Sequence, residues 1–166
     1  MSATHTILDS PVGALTLVAE DGALSGLYFR HHWYLPDRAI FGPPVQHGFE
    51  EATQQLAEYF AGERREFDLP LRATGDEFQH RVWAMLADIE YGHTVSYGDL
   101  ARELGDPARA RDVGAAIGRN PLSILVPCHR VVGKDGKLTG YAGGLARKRF
   151  LLDLEKTHAD WAGVLF

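Results

Sequence analysis

The single cysteine of the chain, Cys128, lies in the segment "ILVPCHRVVG" at residues 124–133, where an apolar run meets His129 and Arg130. One cysteine cannot form an intramolecular disulfide, and it excludes a four-cysteine zinc site. Cys128 is therefore either an inert buried thiol or a reagent, and composition alone favours the inert thiol.

A reactive Cys128 would need a base, because a thiol attacks as its thiolate and an unperturbed cysteine is mostly protonated at neutral pH. His129 is next in sequence, but adjacent side chains usually diverge, so we expect the proton to pass through a water. Glu155 is a candidate to hold the other nitrogen of the imidazole. The three residues could form a relay of cysteine, water, histidine and glutamate. Taken singly, a structural histidine and a surface carboxylate are the commoner roles.

The composition is that of an ordinary globular protein, with 166 residues, 45% hydrophobic and 23% charged, which is enough to form a real core. No apolar stretch reaches the roughly 18 to 20 residues of a membrane span, and the N-terminus lacks the layout of a secretion signal. We therefore expect an intracellular, cytoplasmic protein without a membrane segment. The histidines of the N-terminal half have no cysteine partners, so we expect no zinc site. A reaction with Cys128 as the nucleophile would also need no cofactor.

The formal net charge of −5 conceals an uneven distribution along the chain. Residues 1–75 carry five basic and ten acidic side chains, whereas residues 102–149 carry ten basic and four acidic ones, a local net of +6. Binding to phosphate depends on the local patch, so this segment could bind nucleic acid in a salt-dependent manner. Scattered solvated charges on helices are an equally good interpretation.

The N-terminal part is predicted to begin as an antiparallel sheet. Apolar runs at 14–19 and 23–29 flank "EDG", a hairpin signal in which Gly22 can adopt a positive φ. The spacing of apolar residues over 49–60 predicts a helix, and residues 65–71 are predicted to form a further strand. We place a domain boundary near residue 75, giving an N-terminal domain of residues 1–75 and a C-terminal domain of residues 76–166.

The C-terminal part is predicted to be mostly helical. Thr74 and Glu77 have the spacing of a capping box before an apolar stripe. Ser96 and Asp106 can cap two short helices joined by a turn, an arrangement typical of a helix-turn-helix and also of helical hairpins in enzymes. The last helix is predicted over 145–156 with its leucines, including Leu145, facing inward.

The segment "PCHRVVG", preceded by "GRNP" and followed by "TGYAGGLARK" and "LLDLE", resembles the active-site half of the methylated-DNA–protein-cysteine methyltransferases, which act on O6-alkylguanine. The resemblance covers about residues 75–157 and, less distinctly, the N-terminal sheet. It implies an α/β protein: a ribonuclease-H-like antiparallel sheet module, then a mostly helical domain with a winged helix-turn-helix.

The resemblance also implies roles for individual residues. Cys128 would accept the alkyl group, His129 would be its base through a water, and Glu155 would hold the histidine. Asn120 would brace the turn between the recognition helix and the active-site segment. The hydroxyl of Tyr97 would approach the flipped base.

Other positions would contact DNA or form the base pocket. Arg111 corresponds to the arginine finger that fills the space left by the damaged nucleotide, with Arg109, Ala110 and Arg119 as further DNA-contacting positions. The pocket would be formed by Val131, Tyr141, Ala142, Gly143 and Gly144. Several relatives have serine at the position of Ala142, so a hydroxyl donor to the leaving oxygen is lost here.

The implied reaction is a direct reversal of damage in double-stranded DNA. A base flipped out of the helix would lose its alkyl group to Cys128, and the protein would be consumed after one turnover because no second cysteine can accept the group. We expect a monomer in solution, whereas acceptance of O4-alkylthymine and cooperative assembly on DNA are open at this stage. Three rivals remain: a damage sensor, against which Cys128 argues; a cysteine hydrolase, which would turn over repeatedly; and a transcription factor, which leaves "PCHRV" unexplained.

Overall fold

The N-terminal sheet has three antiparallel strands in the order β1-β2-β3. The computed structural model describes residues 2–164, with side chains to residue 159. The strands are β1 (Ala3–Leu8), β2 (Leu15–Glu20) and β3 (Ala23–Phe29). Asp21 and Gly22 both have positive φ, as a tight two-residue hairpin requires, so the predicted hairpin is confirmed. Sequence reasoning missed β1, a half-exposed edge strand with little apolar patterning.

Five helices and a short pair of parallel strands complete the described chain. The elements are α1 (Glu50–Phe60), α2 (Glu77–Ala87), β4 (Val95–Ser96), α3 (Tyr97–Glu103), α4 (Ala110–Gly118), β5 (Val131–Val132) and α5 (Leu145–Val164). Short 3-10 turns occupy Arg38–Phe41, Pro107–Arg109, Cys128–Arg130 and Lys134–Gly136. The predicted fold class, an antiparallel sheet module followed by a mostly helical part, is confirmed. No helix in residues 2–164 combines the length and apolar character needed to cross a membrane.

Two predictions before α2 are wrong. The capping box uses Asp76 and Gln79, two residues later than the predicted pair, because "TGDE" and "DEFQ" both have suitable spacing and the later one starts the helix. Residues 65–71 make one bridge to the sheet, from Leu71 to Leu24, and form no regular strand. The side chain of Gln55 binds both backbone groups of Asp68, in place of a strand ladder.

The predicted helix-turn-helix is formed by α3 and α4. Ser96 caps α3 in a capping box with Asp99, and Gly105 has the positive φ expected where a helix ends. Asp106 caps the 3-10 turn that leads into α4. The α4 helix therefore begins just after that turn, with Arg111 in its first turn.

One buried face of α5 carries the side chains that matter for the site. Leu145 is exposed, so its predicted inward orientation is wrong, whereas Lys148, Leu151 and Glu155 are buried. Their spacing of three and four residues places them on one side of the helix. The helix thus presents a lysine and a glutamate to the interior on either side of a leucine.

The hydrophobic core extends from the sheet to the helices and fixes the start of the active-site segment. Leu15, Leu27 and Leu56 belong to the same buried cluster as Leu122 and Leu151. The backbone N–H of Leu27, on β3, donates to the carbonyl of Pro121 at 2.8 Å. The edge strand of the sheet therefore holds the residues that follow α4.

Candidate active site

A tight loop between α4 and the Cys128–Arg130 turn positions the cysteine. Asn120 is buried, donates from Nδ2 to the carbonyl of Val126 at 3.0 Å, and accepts from the N–H of Leu122 at 3.0 Å. Ile124 has a φ of 72°, an uncommon conformation for a β-branched residue that the loop holds in place. The amide of Asn120 therefore closes the loop that was predicted to depend on it.

Cys128 forms part of the wall of a small cavity between α4 and the 140–142 loop. The cavity has a volume of about 160 Å³, and only 3% of the cysteine is exposed. Its other lining residues are Trp33, Tyr97, Gly114, Ile117, Gly118, Gly140, Tyr141 and Ala142. Because pockets for drug-sized ligands are typically about 300 Å³ or larger, this cavity suits a single flat ring system.

The surroundings of Cys128 act on its pKa in opposite directions. Burial raises the pKa of the thiol, and the nearby polar side chains of Asn120 and Ser123, together with the positive charge of Lys148, counteract part of that increase. Lys148 is fully buried and donates to the carbonyls of Thr139 and Gly140 at 3.0 and 3.3 Å. Burial lowers the pKa of this lysine to about 8, against the effect of the Cys128 charge. The thiol still needs a base.

His129 and Glu155 form a fully buried pair behind the cysteine. Nε2 of His129 lies 2.6 Å from Oε2 of Glu155. Arg130 donates from Nε to Oε1 at 2.8 Å and from Nη2 to Oε2 at 3.1 Å. Burial alone would raise the pKa of Glu155, but His129 and then Arg130 outweigh it and hold that pKa far below the usual range.

The ionised carboxylate determines which nitrogen of His129 carries hydrogen. A carboxylate only accepts hydrogen bonds, so Nε2 must donate, and Nδ1 of the neutral ring keeps its lone pair. Nδ1 is buried and has no hydrogen-bond partner among the described residues. The ring is therefore oriented with its basic nitrogen available to a proton.

The predicted DNA-contacting residues have different surroundings at α4. Arg111 is exposed, with no ion pair or aromatic partner among the described side chains. Arg109 pairs with Asp112 at 3.1 Å, and its guanidinium lies 4.0 Å from the ring centroid of Phe78. Ala110 is the first residue of the helix, and Arg119, just after its end, stacks on an aromatic ring of the 31–45 connection. Arg111 is the arginine most available for an extended contact.

The local net charge of +6 over residues 102–149 is larger than the number of positive charges available at the surface to bind phosphate. Arg130 and Lys148 are buried, and Arg102 forms an ion pair with Asp99. Arg147 donates to two backbone carbonyls. Counting charges along the sequence cannot separate these structural cations from surface ones.

The cavity includes only part of the predicted base pocket. Tyr141 and Ala142 line it, whereas Val131, Gly143 and Gly144 do not. Val131 is buried in β5, and Gly143 lies against the ring of Phe29, where a Cβ would come within 2.4 Å of a ring carbon.

Sequence reasoning missed several residues of the cavity wall. Gly114 and Gly118 are four residues apart on one face of α4, a spacing that could have revealed a helix face kept open for a ligand. Trp33 comes from the connection over 31–45, and its indole packs over Gly140. No local pattern indicated that this tryptophan would reach Cys128.

Within the described part of the chain, no group of three or more His, Cys, Asp or Glu side chains could hold a metal ion.

Comparison with known proteins gives the family. Residues 77–157 match the DNA binding domain, and residues 4–73 the ribonuclease-like domain, of 6-O-methylguanine DNA methyltransferase. The chain belongs to the 6-O-methylguanine DNA methyltransferase family. The resemblance found in the sequence, and the enzyme class that it implied, are thereby confirmed.

Individual relatives cover nearly the whole chain. The methylated-DNA–protein-cysteine methyltransferase of Mycobacterium tuberculosis is 50% identical over 98% of both chains, and that of Mycolicibacterium paratuberculosis is 49% identical over the same share. A crystal structure of the M. tuberculosis O6-methylguanine methyltransferase has a TM-score of 0.87 and 48% identity over 94% of both chains. A structure of the M. tuberculosis protein in complex with DNA has the same TM-score, covering 93% of this chain and 94% of that one.

Proposed function

We propose that the chain repairs double-stranded DNA by transferring an alkyl group from O6-alkylguanine to Cys128, once and irreversibly. The observation that carries this proposal is the position of Cys128: its thiol borders a cavity of single-base size, and the next residue, His129, is paired with the buried Glu155 of α5. A relative of 47% identity that was crystallised in complex with DNA supports DNA as the partner.

The transfer can be written with all atoms accounted for. The thiol proton passes through a water to Nδ1 of His129, whose other nitrogen is held by Glu155. The Cys128 sulfur attacks the alkyl carbon, the carbon–oxygen bond breaks, and its electron pair goes to O6 of guanine. The purine anion then takes up a proton, for which the hydroxyl of Tyr97 at the cavity is the proposed donor. The Tyr97 phenolate regains a proton from solvent, and His129 releases the thiol proton to solvent, so no net charge remains on the protein. The products are a thioether and an unmodified guanine.

Access to the cavity requires the base to leave the stack, at a cost of a few kcal/mol. We assign Arg111 the role of filling the space in the duplex, because it is exposed in the first turn of α4, while Gly114 and Gly118 of the same helix line the cavity.

The thioether is stable and the chain has no second cysteine, so each molecule acts once. The proposal also covers the protein itself, which we take to be a cytoplasmic monomer with a domain boundary near residue 75. It further includes O4-alkylthymine as a second substrate and cooperative assembly of several molecules on DNA.

Intact mass after incubation with a duplex containing one O6-methylguanine tests the reaction. We expect a gain of one methylene on the peptide containing Cys128, in a one-to-one ratio with repaired DNA. Cys128→Ser should bind the duplex and gain no mass. Repeated repair by an unmodified protein would instead indicate a hydrolase.

The role of Arg111 is tested by comparing duplex with free base. Arg111→Ala should slow repair in duplex far more than reaction with free O6-methylguanine, whereas Arg72→Ala, which removes an exposed arginine paired with Asp21 near the sheet, should change neither. Duplex binding should weaken steeply as salt is raised. Equal losses on both substrates would exclude the finger role.

A further inference from the structure

The relay carboxylate accepts a hydrogen bond from the N-terminal half of the chain. The hydroxyl of Tyr59, on α1, donates to Oε2 of Glu155 at 2.6 Å, although the two residues are 96 positions apart. Tyr59 is fully buried, and its ring packs edge-on against Tyr91 and at an angle against Phe67. The N-terminal domain therefore contacts the relay through one fixed hydroxyl.

The direction of this hydrogen bond is determined by charge. Burial, followed by the negative charge of Glu155, raises the pKa of Tyr59 well above its ordinary value, so the phenol keeps its proton. Glu155 is ionised and can only accept. Tyr59 is thus a permanent donor to the oxygen that also receives the N–H of His129.

Three donors converge on Oε2 of Glu155: Nε2 of His129, Nη2 of Arg130 and the hydroxyl of Tyr59. Each donor neutralises part of the charge of that oxygen and so reduces what remains to stabilise a positively charged imidazole. Without the Tyr59 hydroxyl, the carboxylate would attract a protonated His129 more strongly. His129 would then keep a proton to higher pH.

We propose that Tyr59 is a positioning residue of the alkyl-transfer relay, which fixes the Glu155 carboxylate and limits how tightly His129 holds a proton. The inference rests on the proposed function of Cys128, and it gives a residue of the N-terminal domain a positioning role in the relay. Tyr59 does not touch the substrate cavity, and it acts through Glu155 alone.

The other charged and titratable groups near this pair are contributed by four segments. Arg130 and Cys128 adjoin His129 in the active-site turn, and Lys148 lies two turns before Glu155 on the same face of α5. Two tyrosines, Tyr91 and Tyr141, interact electrostatically with Glu155. Tyr59→Phe leaves all of these groups in the chain and removes only the hydroxyl that donates to Glu155. A change in pH dependence on Tyr59→Phe therefore reports the hydrogen bond to Glu155.

Tyr91→Phe provides a matched control for Tyr59→Phe. The hydroxyl of Tyr91 is also buried, but it has no hydrogen-bond partner among the described residues, and its ring touches that of Tyr59. Both substitutions keep the aromatic ring and remove one oxygen. They differ in whether that oxygen donates to the relay.

The experiment measures the single-turnover rate of transfer from free O6-methylguanine as a function of pH. Transfer requires unprotonated His129, so the rate rises with pH as His129 loses its proton. In Tyr59→Phe we expect the midpoint of this rise to move up by about one pH unit, equivalent to about 1.4 kcal/mol. Tyr91→Phe should keep the wild-type midpoint. A lower rate with an unchanged midpoint in Tyr59→Phe, or the same displacement in both variants, would overturn the inference.

A second measurement separates this inference from the proposed function. The ¹⁵N shifts of the His129 ring report its protonation in the absence of substrate, and in Tyr59→Phe they should titrate at higher pH than in the wild type. If wild-type protein transferred no alkyl group, the proposed function would fail. If it transferred normally and the His129 titrations of the wild type and Tyr59→Phe coincided, only the role of Tyr59 would fail.

Discussion

Replacing Glu155 by glutamine should destabilise the protein strongly. The carboxylate accepts four hydrogen bonds, one each from Tyr59 and His129 and two from Arg130, and the side chains of the glutamate and the arginine are 1% and 8% exposed. Glutamine would leave the guanidinium without its counter-charge and present an N–H₂ group to donors. Breaking a buried ion pair on one side costs about 3–5 kcal/mol, against a total stability of about 5–15 kcal/mol for a domain.

The pH dependence of this effect follows from the pKa of Glu155, which folding depresses. The stabilisation is fully present above the unfolded-state pKa of about 4.3 and is lost as the pH falls through the folded-state pKa. The difference between wild type and Glu155→Gln should therefore shrink as the pH falls below about pH 4.

Urea unfolding, followed by tryptophan fluorescence, measures this difference. With a slope of about 2 kcal/mol per molar, the midpoint of Glu155→Gln should fall by roughly 1.5–2.5 M at pH 7. Asp153→Asn provides a control on the same helix, because Asp153 is exposed. A loss below about 1 kcal/mol for Glu155→Gln, or an equal loss for Asp153→Asn, would refute the reasoning.

Three further predictions concern the loop, the buried lysine and the cavity wall. Asn120→Ala leaves the buried N–H of Leu122 without its partner and removes one of the two donors to the Val126 carbonyl, so it should lower the free energy of unfolding by about 1–3 kcal/mol in the same urea assay. Lys148→Met keeps the volume but removes the positive charge that favours the Cys128 thiolate, so the midpoint of iodoacetamide labelling should move to higher pH. An unchanged midpoint would show that this charge does not act on the thiol. Trp33→Ala removes one wall of the cavity and should weaken binding of free O6-methylguanine to Cys128→Ser by about tenfold, measured by calorimetry; equal affinities would argue against contact with the base.

Local patterns predicted the elements whose stabilising contacts lie near each other in sequence. The hairpin depends on two turn residues with positive φ, and α3 depends on a cap three residues from its partner. Predictions were wrong or missing where long-range contacts decided the outcome. The chain over 65–71 is held by Gln55 and one bridge to β3, and β1 is an edge strand without an apolar signature.

The sequence by itself determined the chemistry available to this protein: one thiol, a histidine beside it, and family motifs in their expected order. Only the tertiary structure decided which side chains surround that thiol. Trp33, Tyr59 and Lys148 reach the site from a loop and two helices, and no spacing along the chain encodes their approach. The physical reason is that burial and hydrogen-bond geometry depend on contacts between distant segments. They turn three polar residues of ordinary appearance, His129, Arg130 and Glu155, into one buried network.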